Sequence, residues 1–163
     1  RATRSMSVAE ALGRSCNPVF GRLALFGVNG RTLSHYSSNF GFNAGIGFDL
    51  PLSRSTAFVP EADPYELSRT AAGFGDVTLS PVHAAAFISG IANSGLMPRP
   101  HLVDKVVSLS GAVRYRSQPQ MIQKMLSSET SLRLLDMMET TTTLGTSRKE
   151  FMVGNRPILG NIR

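Results

Sequence analysis

A proline-initiated apolar helix between residues 81 and 93 is the feature that most restricts what this chain can fold into. Ser80 is a favourable N-cap, Pro81 suits the first helical turn, and Ser94-Gly95 supplies residues that commonly end a helix. Between these signals the segment is rich in alanine and larger apolar residues on nearly every face. A helix that is apolar almost all round is buried on most sides. We therefore expect this helix to be central to the core.

Caps, prolines and glycines also delimit further helices, which cover about residues 7–14, 18–26, 31–40 and 64–72 and a segment from Ser128 or Ser131 to Gly145. Gly27 and Asn29-Gly30 are expected to end the second of them. The valine-rich run Val103–Leu109 and its return Ala112–Arg116 flank Ser110-Gly111, a two-residue turn signal, and so predict a hairpin. Residues 146–163 are expected to form a loop. The predicted fold class is α+β.

The composition indicates one globular domain and disfavours several classes of function. The chain has 163 residues, 42% of them hydrophobic, and no apolar run long enough to cross a bilayer. Its net charge of +6 comes from basic residues scattered singly, the densest cluster being Arg114-Tyr115-Arg116. A solvated basic surface explains that pattern better than a nucleic-acid site. No nucleic-acid partner is predicted.

Metal and cofactor chemistry find no support in the sequence. The single cysteine, Cys16, excludes an internal disulfide and a cysteine-rich zinc site. His35, His83 and His101 do not share the spacing of metal ligands, and the carboxylates are dispersed. The glycine-rich loops lack the order of residues found in phosphate-binding loops. No metal and no cofactor are therefore predicted.

The first helix and the second are separated by a short polar stretch. Ser7 and Glu10 form a capping-box pattern ahead of the first helix, and Gly13 is a common helix stop. Pro18 disfavours helical dihedral angles at Asn17, the residue before it. We therefore expect a turn between the two helices.

That turn carries the polar stretch Ser15-Cys16-Asn17. From the residues alone, a structural helix–helix corner is the simpler interpretation, and a polar site that presents a hydroxyl and a carboxamide is the alternative. Thiol catalysis by Cys16 with a histidine is a third interpretation, which packing of an isolated cysteine explains more simply.

Several segments, taken in order, make the polar interpretation the stronger one. They are Ser15-Cys16-Asn17-Pro18-Val19-Phe20, Phe40-Gly41-Phe42 with Gly47-Phe48-Asp49-Leu50-Pro51, Ala72-Gly73-Phe74-Gly75 with Thr78-Leu79-Ser80-Pro81, Ile91-Ala92-Asn93-Ser94-Gly95 and Pro100-His101-Leu102-Val103. As a set they resemble the C-terminal part of a penicillin-binding protein transpeptidase domain. The resemblance implies a penicillin-binding and serine β-lactamase-like fold, here mainly its helical part plus a hairpin.

The resemblance also implies that residues 1–163 are a partial transpeptidase domain. The family uses Ser-x-x-Lys, Ser-x-Asn and Lys-Thr-Gly motifs, and only the second occurs in this sequence. The chain begins with Arg1 rather than methionine. It is therefore expected to be a slice of a longer protein, between the nucleophile motif and the Lys-Thr-Gly strand, and to be catalytically silent alone.

The implied activity is that of a peptidoglycan D,D-transpeptidase, which cross-links stem peptides through a serine acyl-enzyme and is acylated by β-lactams. Ser15 would be catalytic, in the proton path to the leaving amine. Asn17 would bind the amide of the acyl donor, and Cys16, the middle residue of the motif, is a further candidate for substrate binding. The nucleophilic serine and its activating lysine would lie outside this sequence.

The implied partners are the D-Ala-D-Ala stem peptide, β-lactam antibiotics, the remainder of the same transpeptidase domain and other cell-wall synthesis proteins. The implied location is the extracytoplasmic face of the bacterial inner membrane, as a periplasmic domain of a membrane-anchored parent. The leading alternative is a penicillin-binding-like sensor or scaffold without turnover. A serine β-lactamase is a further alternative, but those enzymes lack a segment like Phe74–Asn93 in this form.

Overall fold

The computed structural model describes residues 5–154 and 156–158, which divide into two compact units. One unit contains the described residues of 1–33, 58–75 and 132–163, and the other contains 34–57 and 76–131. The helices are α1 Val8–Gly13, α2 Asn17–Phe26, α3 Gly30–Asn39, α4 Pro64–Ala71, α5 Pro81–Ala92, α6 Ser128–Thr143 and α7 Arg148–Phe151. The strands are β1 Thr56–Ala57, β2 Val77–Thr78, β3 Leu96–Pro98, β4 Lys105–Val107, β5 Val113–Arg116, β6 Met121–Lys124, β7 Met152–Val153 and β8 Arg156–Pro157.

The first unit is built mainly from helices. Helix α2 packs against α4 at the buried Gly21. The two helices are close at this point, since a β-carbon at Gly21 would lie only 3.2 Å from the carbonyl oxygen of Ser68. Ala24 on α2 and Leu67 on α4 are buried in the same unit. Helix α4 begins at Pro64, and the carboxylate of Asp63 caps it by accepting the amides of the next turn. The predicted helix at 64–72 is thereby confirmed.

The second unit has α5 at its centre, as the sequence predicts. Ser80 Oγ accepts the amide of His83 at 3.2 Å, which is the expected N-cap bond. One face of α5 packs on β3, which pairs antiparallel with β6, and Met97 on β3 is fully buried. The opposite face is less covered than the sequence suggests, since Ile88 is 46% exposed.

The predicted hairpin is present but shorter than expected. Strands β4 and β5 pair antiparallel, with a register shift between Val106 and Val107 and with Gly111 at a φ of +83° in the turn. Within residues 5–154 and 156–158 the strands form four two-stranded sheets, β1–β2, β3–β6, β4–β5 and β7–β8. The β4–β5 hairpin therefore pairs with no third strand in this part of the chain.

The caps at two helix starts differ from the sequence-based prediction. Gly27 is the C-cap of α2, as predicted. Asn29 instead caps α3, because its Oδ1 accepts the amide of Thr32 at 2.9 Å. Helix α6 is capped by Ser127, whose Oγ accepts the amide of Thr130 at 3.1 Å, and not by Ser128 or Ser131. Ser131 is instead fully buried. Serines are frequent in this segment, and the backbone path into the helix decides which one becomes the cap.

The segment after residue 145 is also more regular than predicted. It contains helix α7 and the β7–β8 pair, in which Met152 opposes Pro157. The expected loop between 146 and 158 is therefore wrong, and residues 159–163 lie outside the described residues. No helix within the described ranges has the length and apolar character needed to cross a membrane.

Candidate active-site turn

The predicted turn between the first two helices is confirmed, and its geometry is specific. Helix α1 ends in two reversed hydrogen bonds, from the amide of Ser15 to the carbonyl of Leu12 (3.0 Å) and from the amide of Cys16 to the carbonyl of Ala11 (2.8 Å). This pair of bonds is a Schellman motif, which places one residue in the left-handed region. That residue is Ser15, with a φ of +52°.

Gly13 was expected to stop the first helix, and it is the last helical residue of α1, although it does not take the left-handed position. Helix α1 includes Gly13, Arg14 is its C-cap, and the left-handed position that usually carries glycine is occupied by Ser15. A left-handed conformation is strained for a residue with a β-carbon, and such strain is concentrated at functional sites.

The Ser7 cap at the other end of α1 is as predicted. Its Oγ accepts the amide of Glu10 at 3.1 Å. The same glutamate forms an ion pair with Arg14 across one helical turn, at 3.0 Å. Both ends of this six-residue helix are thus held by local contacts.

Asn17 is already part of helix α2, whereas the sequence predicts that it lies in the turn before that helix. Cys16 is the N-cap of α2 and Asn17 is its first residue, followed by Pro18. The amides of the first helical turn need no partner within the helix, so proline is tolerated there and the helix can extend back to Asn17. The amide of Asn17 donates to the carbonyl of Ser15 at 3.1 Å, which keeps the turn tight.

The side chains of Ser15 and Asn17 are both exposed, whereas Cys16 is half-buried. Neither Ser15 Oγ nor the Asn17 carboxamide makes a hydrogen bond to another residue of the described ranges. Both side chains are therefore available to a ligand. Ser15 and Asn17 were predicted as site residues from the sequence. The left-handed backbone of Ser15 was not predictable, because no residue pattern in the sequence indicates it.

The histidines lie in the other compact unit and have structural partners of their own. His83 is buried, its Nε2 lies 2.8 Å from the carbonyl oxygen of Phe40, and it lines a cavity of about 120 Å³ together with Ser55 and Ser80. His35 contacts Asn39 on the surface of α3. No group of three or more metal-ligating side chains occurs in the described residues.

A polar cluster surrounds Asp49 in that second unit. Its carboxylate accepts the amides of Leu102 at 2.7 Å and Val103 at 3.4 Å. These backbone hydrogen bonds, with the nearby charge of Arg99, hold the pKa of Asp49 below its ordinary value, although partial desolvation opposes them. Asp49 therefore fixes the chain that leads to the β4–β5 hairpin.

Comparison with known proteins decides the family. The family model described as the penicillin binding protein transpeptidase domain matches residues 1–158. The chain belongs to the penicillin-binding protein transpeptidase family. Its similarity to the family covers both compact units, and the α+β fold predicted from the sequence is confirmed.

Solved structures and a curated relative agree with this membership. The D,D-transpeptidase domain of a peptidoglycan glycosyltransferase from Eggerthella lenta superposes with a TM-score of 0.84 at 26% identity, over 94% of this chain and 40% of that one. The penicillin G acyl-enzyme complex of penicillin-binding protein A from M. tuberculosis gives 0.78 at 25% identity, over 86% of this chain and 32% of that one.

The curated relative is the peptidoglycan D,D-transpeptidase PbpA of Mycolicibacterium smegmatis. It is 28% identical over 135 residues, which are 82% of this chain and 27% of that protein. The transpeptidase-family chain thus spans about a quarter of the length of this relative.

Proposed function

We propose that this chain forms the Ser-x-Asn region of a peptidoglycan D,D-transpeptidase domain that β-lactams acylate. The observation that carries the proposal is the α1–α2 turn, which presents Ser15 and Asn17 exposed and unpaired within the described residues. Family membership over residues 1–158 supports it, as does the strained backbone of Ser15.

Ser15 is the proposed proton carrier. In the reaction, a nucleophilic serine outside this sequence attacks the penultimate D-Ala carbonyl, the peptide bond breaks, and the terminal D-Ala leaves as an amine that takes up a proton. The amine of a second stem peptide then attacks the serine ester, and the serine regains its proton. A hydroxyl both donates and accepts, so Ser15 is able to pass the proton in each half-reaction.

Asn17 is proposed to hold the acyl donor. Its carboxamide offers two donors and one acceptor, which match the N–H and C=O groups of a peptide or of a β-lactam side-chain amide. Cys16 lies between Ser15 and Asn17 and is the second proposed binding residue. Its contribution is expected to be smaller because its side chain is half-buried.

The proposal extends to the location and partners of the parent protein. Its substrates are D-Ala-D-Ala stem peptides, so the domain would lie at the extracytoplasmic face of the inner membrane, as part of a membrane-anchored protein. The rest of the domain would supply the nucleophile, and other cell-wall synthesis proteins are the expected partners. No Ser-x-x-Lys or Lys-Thr-Gly sequence occurs in the 163 residues, so the isolated chain is proposed to be inactive.

The test is the acylation rate of the full-length protein with a fluorescent penicillin. Ser15→Ala should slow acylation by about 100-fold, the low end of the effect of acid–base groups. Asn17→Ala should slow it by about 10-fold, equivalent to one lost hydrogen bond. Ser110→Ala in the hairpin turn and Asn39→Ala on α3 are matched controls, and both should keep the wild-type rate.

Unchanged acylation in Ser15→Ala and Asn17→Ala would refute the assigned roles. Covalent labelling of the isolated 163-residue chain would contradict its proposed inactivity. A full-length protein that takes up no label, by fluorescence and by intact mass, would favour the non-catalytic sensor or scaffold.

A further inference from the structure

Helix α1 meets the C-terminal end of α6 at a contact between two glycines. A β-carbon at Gly13 would lie 2.9 Å from the carbonyl carbon and oxygen of Thr140. A β-carbon at Gly145 would lie 2.5 Å from the carbonyl carbon of Gly13. Real β-carbons do not approach backbone so closely, so both positions require glycine for this backbone contact to exist.

Two hydrogen bonds join α1 to α6 and to the residues that directly follow α6. The hydroxyl of Thr140 donates to the carbonyl of Ala9 at 2.8 Å, sharing its proton with the carbonyl of Met137 one turn back in α6. The amide of Thr146 donates to the carbonyl of Gly13 at 3.0 Å. We call the contact formed by Gly13, Thr140, Gly145 and Thr146 the α1–α6 clasp.

The clasp completes the hydrogen bonding at the end of α1. The last four carbonyls of a helix have no partner within it. In α1 the carbonyls of Glu10, Ala11 and Leu12 accept the amides of Arg14, Cys16 and Ser15, which form the turn itself. The fourth carbonyl, that of Gly13, is bound from outside by Thr146.

Ser15 therefore follows a helix end whose position is set from two sides. Its left-handed backbone is strained, and strained residues persist only where their surroundings hold them. The local bonds of the turn determine the shape of the turn. The clasp determines where the last turn of α1, and with it Ser15, lies relative to the end of α6.

We propose that Thr140 and Gly145 are positioning residues for the acylation reaction, acting through the α1–α6 clasp on the Ser15 turn. This inference rests on the proposed function, because it requires Ser15 to take part in acylation. Neither residue is expected to touch substrate. Their effect arises because a displacement of a reacting group by about 1 Å is enough to slow a reaction by up to about 100-fold.

The experiment uses the full-length protein and two substitutions at Thr140. Thr140→Val keeps the shape but removes the hydroxyl, Thr140→Ser keeps the hydroxyl, and each is made in the wild-type and the Ser15→Ala background. We expect Thr140→Val to slow acylation by penicillin about 5-fold in the wild-type background and less than 2-fold in the Ser15→Ala background, because the group it positions is then absent. Thr140→Ser should restore the rate to within about 2-fold of wild type.

Stability measured on the same proteins separates positioning from general damage. The urea midpoint should fall by the same amount in both backgrounds, because loss of a structural bond does not depend on the Ser15 hydroxyl. If Thr140→Val does not fold, Thr140→Ala serves instead, since alanine has the highest helix propensity. Gly145→Ala should slow acylation in the same background-dependent way.

The outcomes distinguish the two proposals. If Ser15→Ala itself acylates at the wild-type rate, the proposed function of Ser15 fails. If Ser15→Ala is slow but Thr140→Val acylates normally, or slows both backgrounds equally, the positioning role of the clasp is refuted and the proposed function stands.

Discussion

Replacing Ser15 by glycine should make the protein more stable while slowing the proposed acylation by β-lactams. Ser15 has a φ of +52°, at the position of the Schellman motif that glycine usually occupies. A left-handed conformation costs an L-residue about 1–2 kcal/mol, whereas the freedom of glycine in the unfolded chain costs about 0.4–1 kcal/mol. The expected net gain in the free energy of unfolding is about 0.5–1 kcal/mol.

Ser15→Ala is the matched control, because it removes the hydroxyl and keeps the β-carbon. Its stability should stay within about 0.5 kcal/mol of wild type, as for most exposed substitutions. Urea unfolding of the full-length variants, followed by circular dichroism, measures the two midpoints at an unchanged slope. Both variants should acylate equally slowly, since neither has the hydroxyl.

The comparison isolates the contribution of one β-carbon at the turn. A midpoint for Ser15→Gly at or below that of Ser15→Ala would show that the strain argument is wrong. A higher midpoint with lost acylation would mean that stability is given up at this position to place a hydroxyl in the turn.

Two further predictions concern the backbone and the pH. Gly13→Ala should lower the free energy of unfolding, measured in urea, by about 1–3 kcal/mol, because its β-carbon has no room beside Thr140, although alanine normally favours a helix. Gly45→Ala is the control and should show no such loss, since no atom lies within 4 Å of a β-carbon added at Gly45. Asp49 has a lowered pKa in the folded state, so its stabilisation is complete above its unfolded pKa and is lost as the pH falls through the folded pKa. An NMR titration should show this carboxyl titrating below the ordinary aspartate range, and Asp49→Asn should speed amide exchange at Leu102; a titration at the ordinary value would contradict the assignment.

Most helix starts were predictable because their signals are local. Ser7 and Ser80 each cap a helix through an amide three residues away, so the cap and its partner appear in one short window of sequence. Asn29 shows the limit of such signals. An asparagine before glycine is equally suited to ending one helix or capping the next, and the cap in α3 is formed.

The strand pairs β1–β2 and β3–β6 were missed because their partners are distant in sequence. The β4–β5 hairpin was predictable because Ser110-Gly111 is a two-residue turn signal beside its strands. Gly154-Asn155 is a comparable signal between β7 and β8, but that segment was expected to be a loop. Leu96 on β3 pairs with Lys124 on β6, and Thr56 on β1 pairs with Thr78 on β2. These strands are two to four residues long, too short for alternation of polar and apolar residues to be recognised.

The sequence by itself determined the family, the position of the polar turn between two helices and the identity of Ser15 and Asn17, because ordered motifs and helix caps are properties of neighbouring residues. The placement of that turn relative to the end of α6 was decided by tertiary structure. Thr140 reaches the carbonyl of Ala9 across 131 positions of sequence, and Gly13 and Gly145 allow the two backbones to touch. No local pattern encodes a contact between residues so far apart, and it exists only once the chain has packed α1 against the end of α6.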